Sequence, residues 1–222
     1  MNYTKTEENY LKAIFSLYNK ENKEVSTNMI AEKLKTKPSS VTDMVKKLAN
    51  KNLVKYEKYK GVTLTKKGNN IAINIIRNHR IWEVFLVEKL GYKWDEVHEI
   101  AEQLEHIKSD ELIDRMAEFL DNPKFDPHGD PIPDKTGKFA ERKKAVLLSE
   151  IGIKEKGIIV GVKNTSNDFL QYLEEKTLTL GKQIEVIKEF DFDKSRSLIV
   201  NEKEITSSKE VCNNLIVEKI IA

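Results

Sequence analysis

Apolar residues recur every three or four positions through the N-terminal part of the chain and predict three helices. The first begins at Thr4-Lys5-Thr6-Glu7, a capping box in which a hydroxyl and a carboxylate satisfy backbone amides at a helix start. Leu11 and Ile14 belong to its apolar stripe. A short helix over 27–34 and a third from Pro38 onward complete the set, since proline is tolerated in a first helical turn.

A β-hairpin follows these helices, because two short β-prone runs, 53–57 and 61–65, flank a lysine-rich turn. Helix, tight turn, helix and hairpin together indicate a winged helix-turn-helix. The small residues that open the third helix suit a major groove, and its later lysines suit phosphates. The alternative is a three-helix interaction domain whose lysines are a solvated face. The predicted DNA contacts are Lys37, Ser39, Ser40, Thr42, Asp43, Lys46, Lys47, Lys58 and Lys60.

The middle of the chain also has helical periodicity, but it ends in a proline-rich connector. A long helix is predicted from Lys66 to Leu90, a second from about 95 to 107, and a third opening at Ser109. Four of the five prolines fall between 123 and 133, a spacing that no regular helix survives. Beyond about 146 the chain changes to β-branched runs.

Charge supports the same three blocks. The 222 residues carry 38 basic and 36 acidic side chains, a net charge of only +2. Residues 1–75, however, hold 15 lysines against 7 acids, while residues 76–139 hold 9 basic residues against 15 acids. The near-neutral total therefore conceals a basic block suited to nucleic acid and an acidic block suited to cations.

Cysteine content and hydropathy narrow the setting. A single cysteine, Cys212, allows neither a disulfide framework nor a cysteine-rich zinc site. The polar N-terminus lacks a signal peptide, and no apolar stretch reaches the length of a membrane span. We therefore expect a cytoplasmic protein without a membrane partner.

Histidines and carboxylates cluster in the acidic block. His79 and Glu83 are one helical turn apart, and four further groups follow at helical spacing within roughly a 100° arc: His98, Glu102, Glu105 and His106. Six such ligands suffice for one or two divalent cations, although each pair alone is more often a surface ion pair. Zinc-protease, di-iron, phosphate-loop and nucleophile motifs are absent from the sequence, so we expect no enzyme. A metal-dependent hydrolase is a minor alternative.

Several ordered motifs resemble the diphtheria-toxin-repressor family of metal-dependent regulators, which includes the iron-dependent and manganese-transport regulators. The resemblance covers nearly the whole chain. Its motifs are Glu8–Ile14, Ile30–Leu34, Pro38–Leu48, Tyr56–Gly61, Asn78–Glu83, Glu102–His106 and His128–Pro133.

This resemblance implies a mainly α fold with a small β domain. A winged helix-turn-helix (1–65) would precede a helical metal-binding and dimerisation domain (66–139) and a FeoA-like, Src-homology-3-like β-barrel (140–222). In the barrel we expect strands at about 157–163, 183–190, 197–205 and 215–221, with a helix at 168–175.

The resemblance also implies two metal sites binding Mn²⁺ or Fe²⁺, one or two ions per subunit. Glu102, Glu105 and His106 would form the primary site with a residue of the first helix, where Asn9 stands at the usual position and Glu8 is adjacent. The ancillary site would use three residues of the acidic block, with Asp168 from the barrel: His79, Glu83 and His98.

The function that follows is a homodimeric repressor of metal-homeostasis genes that binds a double-stranded DNA operator when metal is bound. The alternative is a winged-helix transcription factor that metal does not gate.

Overall fold

The structure is a computed structural model that describes residues 3–21, 24–57, 60–142 and 144–220. Its α-helices are α1 (Lys5–Glu21), α2 (Thr27–Lys33), α3 (Pro38–Asn50), α4 (Lys66–Leu90), α5 (Val97–Leu104), α6 (Asp110–Phe119), α7 (Asn167–Glu175) and α8 (Lys209–Asn214). Its strands are β1 (Val54–Glu57), β2 (Gly61–Leu64), β3 (Ala145–Leu147), β4 (Lys156–Val162), β5 (Gln183–Glu189), β6 (Arg196–Val200), β7 (Lys203–Ser207) and β8 (Leu215–Lys219).

The chain divides into two compact units. The first contains Met1–His79, Glu102–Ile113 and Pro133–Lys138. The second contains Arg80–Ala101, Asp114–Ile132 and Phe139–Ala222. In the described parts of the chain, no helix is both long enough and apolar enough to cross a membrane.

The first unit contains the predicted winged helix-turn-helix. The capping box is confirmed, since the Glu7 amide donates to Thr4 Oγ1 at 3.2 Å and the Thr4 amide donates to Glu7 Oε2 at 3.1 Å. Ser26 caps α2 by accepting from the Met29 amide at 3.2 Å. Strands β1 and β2 pair antiparallel as the wing. The core of this unit consists of fully buried aliphatic side chains from α1, α2, α3 and the wing, among them Leu11, Ile14, Ile30, Val45, Leu48 and Val62.

A buried carboxylate of α1 forms ion pairs with lysines at the C-terminal end of α3. Glu7 is fully buried, and its Oε1 lies 2.6 Å from Lys51 Nζ and 3.1 Å from Lys47 Nζ. Burial acts to raise the pKa of Glu7, but hydrogen bonds from Lys51, the Thr4 amide and Lys47 outweigh it and lower the pKa to about 2. The start of α1 therefore holds the C-terminal turn of the helix that is predicted to read DNA.

The helical segment differs from the prediction at one point that matters for the site. Helix α4 has the predicted bounds, but α5 ends at Leu104 rather than near residue 107. Glu105 and His106 lie in the turn after it. The expectation that they share one helix face with His98 is therefore wrong, because the chain leaves helical geometry just before them.

The C-terminal β domain is an antiparallel sheet of six strands in the order β3-β8-β4-β5-β6-β7. Strands β4, β5 and β8 and helix α7 lie where the sequence predicts them. The strand predicted over 197–205 is instead a hairpin of β6 and β7, because Asn201 and Glu202 adopt left-handed backbone angles with φ of 48° and 65°. Strand β3 and helix α8 were not predicted.

We expect Glu7→Gln to lower the free energy of unfolding by about 1–3 kcal/mol at pH 7, because it removes a charged acceptor from two lysines. A carboxylate whose pKa is lower in the folded state stabilises the fold above its unfolded pKa, near 4.5, and loses that effect as pH falls toward about 2. Urea unfolding followed by circular dichroism at pH 7 and pH 3 measures this. A difference between variant and wild type that is equally large at both pH values contradicts the ion-pair explanation.

Candidate metal centre

A glutamate of α1 meets a histidine of the turn after α5 within the first unit. Glu8 is 7 % exposed, and its Oε2 lies 2.6 Å from Nδ1 of His106. The adjacent Asn9 is exposed. Of the two α1 residues that the sequence offered, the structure therefore brings Glu8, not Asn9, to His106.

Glu105 is the most heavily engaged carboxylate of this region. It is 2 % exposed, and both of its oxygens accept from Lys12 Nζ at 2.8 Å. Its Oε2 also lies 2.6 Å from Nδ1 of His79, and Oε1 lies 3.7 Å from Nε2 of His106. Burial raises the pKa of Glu105, but His79 and Lys12 outweigh that effect and lower it. Glu105 is thus held ionised.

Glu102 lies at the exposed edge of the same group, with its Oε1 3.6 Å from Lys12 Nζ. We call this group the first cluster: Glu8, Lys12, His79, Glu102, Glu105 and His106. It contains the three residues predicted for the primary site. It also contains His79, which the sequence assigned to the ancillary site.

A second cluster lies in the second unit and is centred on Glu83 of α4, which is 2 % exposed. Its Oε1 lies 3.3 Å from Nδ1 of His98, and its Oε2 lies 3.7 Å from Nδ1 of His128. Glu83, Asp126 and His128 each offer a ligand atom, all within 4.8 Å of one another, and all three are buried. His79 precedes Glu83 by one turn on the same face of α4. The second cluster comprises Glu83, His98, Asp126 and His128.

The carbonyl and the ring of Trp94 contact the imidazole of His128. Its Nε2 lies 2.7 Å from the carbonyl oxygen of Trp94, to which the Nε2–H donates. The Trp94 ring stacks on the imidazole with centroids 6.3 Å apart. Such an outer hydrogen bond selects the tautomer and leaves the other nitrogen as the ligand atom. Nδ1 of His128 is therefore the nitrogen that faces Glu83.

A tight turn places Asp126 and His128 together. Asp126 Oδ1 accepts from the amides of His128 at 2.9 Å and Asp130 at 3.0 Å. Gly129 has φ of +89°, and a Cβ there would lie 2.1 Å from the carbonyl oxygen of Val160. Only glycine permits this approach, which lets the Val162 amide donate to the His128 carbonyl at 3.0 Å.

The charged groups of the second cluster shift one another's pKa values, and Arg80 Nε lies 3.4 Å from Asp126 Oδ2. Burial and the carboxylates of Glu83 and Asp130 raise the pKa of Asp126, although Arg80 and His128 act in the opposite direction. Burial acts to lower the pKa of His128, but its hydrogen bond with Glu83 and the nearby carboxylates raise it to about 8. Close buried carboxylates beside an imidazole form a donor set that fits a divalent cation such as Mn²⁺ or Fe²⁺.

Sequence reasoning missed Asp126 and His128 as ligand candidates and included Asp168. Asp168 is exposed in the first turn of α7 and belongs to neither candidate ligand group found among the described residues. The signal in the sequence was Asp126-Pro127-His128, where the fourth histidine stands two residues after an aspartate within the proline-rich connector. Helical spacing cannot reveal such a pair, because the turn that joins them is not helical.

The predicted DNA contacts lie mostly on the open face of the winged helix. Exposed side chains there are Lys37, Ser39, Ser40, Asp43, Lys46 and Lys47. Thr42 donates its hydroxyl to the Pro38 carbonyl at 3.0 Å, and Lys47 pairs with Glu7. On the wing, Lys60 pairs with Glu57 at 2.7 Å, whereas Lys58 lies outside the described residues.

Comparison with known families accounts for nearly all of this architecture. Residues 2–62 match the iron-dependent repressor N-terminal DNA-binding domain. Residues 65–134 match the iron-dependent repressor metal-binding and dimerisation domain, and residues 146–219 match the FeoA domain.

Individual relatives agree with the family models. An uncharacterised HTH-type transcriptional regulator of Methanocaldococcus jannaschii is 40 % identical over 114 residues, which cover 51 % of this chain and 91 % of that protein. The iron-dependent repressor IdeR of Mycobacterium tuberculosis is 34 % identical over 128 residues, 58 % of this chain and 55 % of IdeR, so the match spans about half of that relative. A manganese-dependent transcriptional repressor solved with manganese is 30 % identical with a TM-score of 0.83, covering 96 % of this chain and 100 % of that one.

A winged helix-turn-helix, a helical metal-binding domain and a FeoA domain together define a metal-dependent transcriptional repressor. The chain belongs to the iron-dependent repressor family, which includes the diphtheria toxin repressor, as the sequence resemblance predicted.

We expect Asp126→Asn to weaken Mn²⁺ binding at the second cluster at least about tenfold, since changing even a group that only supports a ligand costs about 10- to 100-fold. Isothermal titration calorimetry under anaerobic conditions measures the change. The exposed Asp121→Asn is the matched control. Identical titrations for both variants would show that Asp126 does not contribute to metal binding.

Proposed function

We propose that this protein is a homodimeric repressor whose binding to a double-stranded DNA operator is promoted by Mn²⁺ or Fe²⁺. One observation carries the proposal. Successive residues of α1 engage the helix predicted to read DNA and the candidate metal ligands, Glu7 through Lys47 and Lys51, and Glu8 through His106. A change in the position of the metal ligands is therefore transmitted through α1 to the helix predicted to read DNA.

The first cluster supplies the primary site in this proposal. Glu102, Glu105 and His106 are its ligands, and Glu8 serves in place of Asn9 because its carboxylate already contacts His106. The donors are carboxylates and imidazoles without a thiolate, a set that suits Mn²⁺ or Fe²⁺ better than thiolate-seeking metals. One similar protein is named an iron-dependent repressor and another a manganese-dependent repressor, which supports the same choice of metals.

The ancillary site draws on the second cluster. Its proposed ligands are His79, Glu83 and His98 from the sequence prediction, extended by Asp126 and His128 because these two face Glu83. One or two ions per subunit are therefore part of the proposal. Asp168 remains a prediction, and it belongs to neither ligand group found among the described residues.

DNA recognition and dimerisation complete the proposal. The exposed small residues at the start of α3 would enter the major groove, with Lys46 meeting phosphates. A dimer built on the helical domain would place two such helices about 34 Å apart, one turn of DNA. Domain boundaries at 1–65, 66–139 and 140–222 are part of the proposal, as is the regulation of metal-homeostasis genes.

Metal should control DNA binding. We expect gel shifts on the operator to require Mn²⁺ or Fe²⁺, and His106→Ala to abolish the difference between metal and EDTA, because it removes a ligand next to α1. Asp110→Ala, an exposed change a few residues away, serves as the control and should retain the response. Equal wild-type binding in EDTA and in Mn²⁺ would leave a winged-helix regulator that metal does not gate.

Lys46→Ala should weaken binding to all DNA sequences alike and shallow the slope of log Kobs against log salt by about 1, since a phosphate contact carries no sequence information. Fluorescence anisotropy across a salt series on operator and random duplexes measures both effects. The comparison is Lys209→Ala, an exposed lysine at the start of α8. A loss confined to the operator, with an unchanged slope, would show that Lys46 reads bases.

A further inference from the structure

A lysine ammonium contacts two carboxylates of the first cluster. Lys12 Nζ lies 2.8 Å from each oxygen of Glu105 and 3.6 Å from Glu102 Oε1. Its side chain is only 20 % exposed, and that of Glu105 is fully buried. Two carboxylates predicted to bind metal are thus already bridged by a positive charge that belongs to the chain.

The charge balance of the cluster then matches one divalent cation. Glu8, Glu102 and Glu105 contribute three negative charges, and imidazoles that act as ligands are neutral. Lys12 contributes one positive charge, so these four side chains together carry a net charge of −2. A single divalent ion balances that charge, whereas a second would leave an excess of positive charge beside the buried Glu105, which is costly.

We propose that Lys12 is a built-in cation that limits the first cluster to one divalent ion per subunit and weakens the hold on that ion. This inference rests on the proposed metal-binding function. Lys12 acts in two ways. Its charge repels a cation a few ångströms away, and its hydrogen bonds occupy both oxygens of Glu105, which an ion must share or recover.

As a consequence, the protein needs a higher metal concentration before metal promotes its binding to DNA. The Lys12 stem is flexible, so the ammonium can withdraw when an ion takes Glu105. Binding must then be strong enough to displace it. Lys12 thereby acts on the threshold of the response without itself being a ligand.

Calorimetric titration of the full-length chain with Mn²⁺ under anaerobic conditions tests this role. We expect Lys12→Met to bind Mn²⁺ at least about tenfold more tightly, a change of about 1.4 kcal/mol. Lys12→Glu, with a fourth carboxylate, should bind one more ion per subunit than wild type. Lys12→Arg keeps the charge and should titrate like wild type. Lys5→Met removes an exposed charge from the same helix and is the matched control.

The outcomes distinguish a failure of the role proposed for Lys12 from a failure of the proposed metal-binding function. Unchanged affinity and stoichiometry in Lys12→Met and Lys12→Glu would overturn the inference while leaving the proposed metal function intact. Weaker binding by Lys12→Met would also overturn it, by showing that Lys12 supports the ligands. Absence of Mn²⁺ binding in wild type and all variants would reject the proposed function itself. Circular dichroism of each metal-free variant verifies the fold, and Lys12→Glu provides a separate readout if Lys12→Met does not fold.

Discussion

The first turn of α1 is the constraint on which the rest of the first unit depends. Glu7 and Glu8 are successive residues, so their side chains diverge by about 100° around the helix. That divergence sends Glu7 to the lysines at the end of α3 and Glu8 to His106. Because one helical turn fixes both contacts, the position of the helix proposed to read DNA and the geometry of the proposed ligands are not independent. A coupling free energy of only about 1–3 kcal/mol between such sites suffices for regulation.

The second cluster depends on backbone rather than on helical spacing. The Asp126–Asp130 turn packs against β4 through Gly129, whose lack of a side chain allows the close approach to Val160. The Trp94 carbonyl then fixes which nitrogen of His128 faces Glu83. Buried carboxylates are costly unless they are paired. Arg80, whose Nε lies 3.4 Å from Asp126 Oδ2, supplies one such pair, and a bound divalent cation would stabilise the cluster further.

Much of the architecture was predictable because it follows from local rules. The capping box at Thr4, the bounds of α4 and the hairpin wing are short-range features, and the structure has them as predicted. The split of β6 from β7 was not, since it depends on two residues in left-handed conformations that strand propensity does not report. The end of α5 at Leu104 is not predicted, because Glu105 and His106 continue the helical pattern of the sequence although they lie in a turn.

The sequence by itself determined the family, the separation of a basic block from an acidic one, and the list of residue types suited to Mn²⁺ or Fe²⁺. Only the tertiary structure decided which of these residues meet. It paired His106 with Glu8 rather than Asn9, placed Lys12 on Glu105, and brought Asp126 and His128 to Glu83. The physical reason is that these contacts join segments far apart in the chain. Their geometry is set by where helices end and turns pack, which composition and periodicity do not encode.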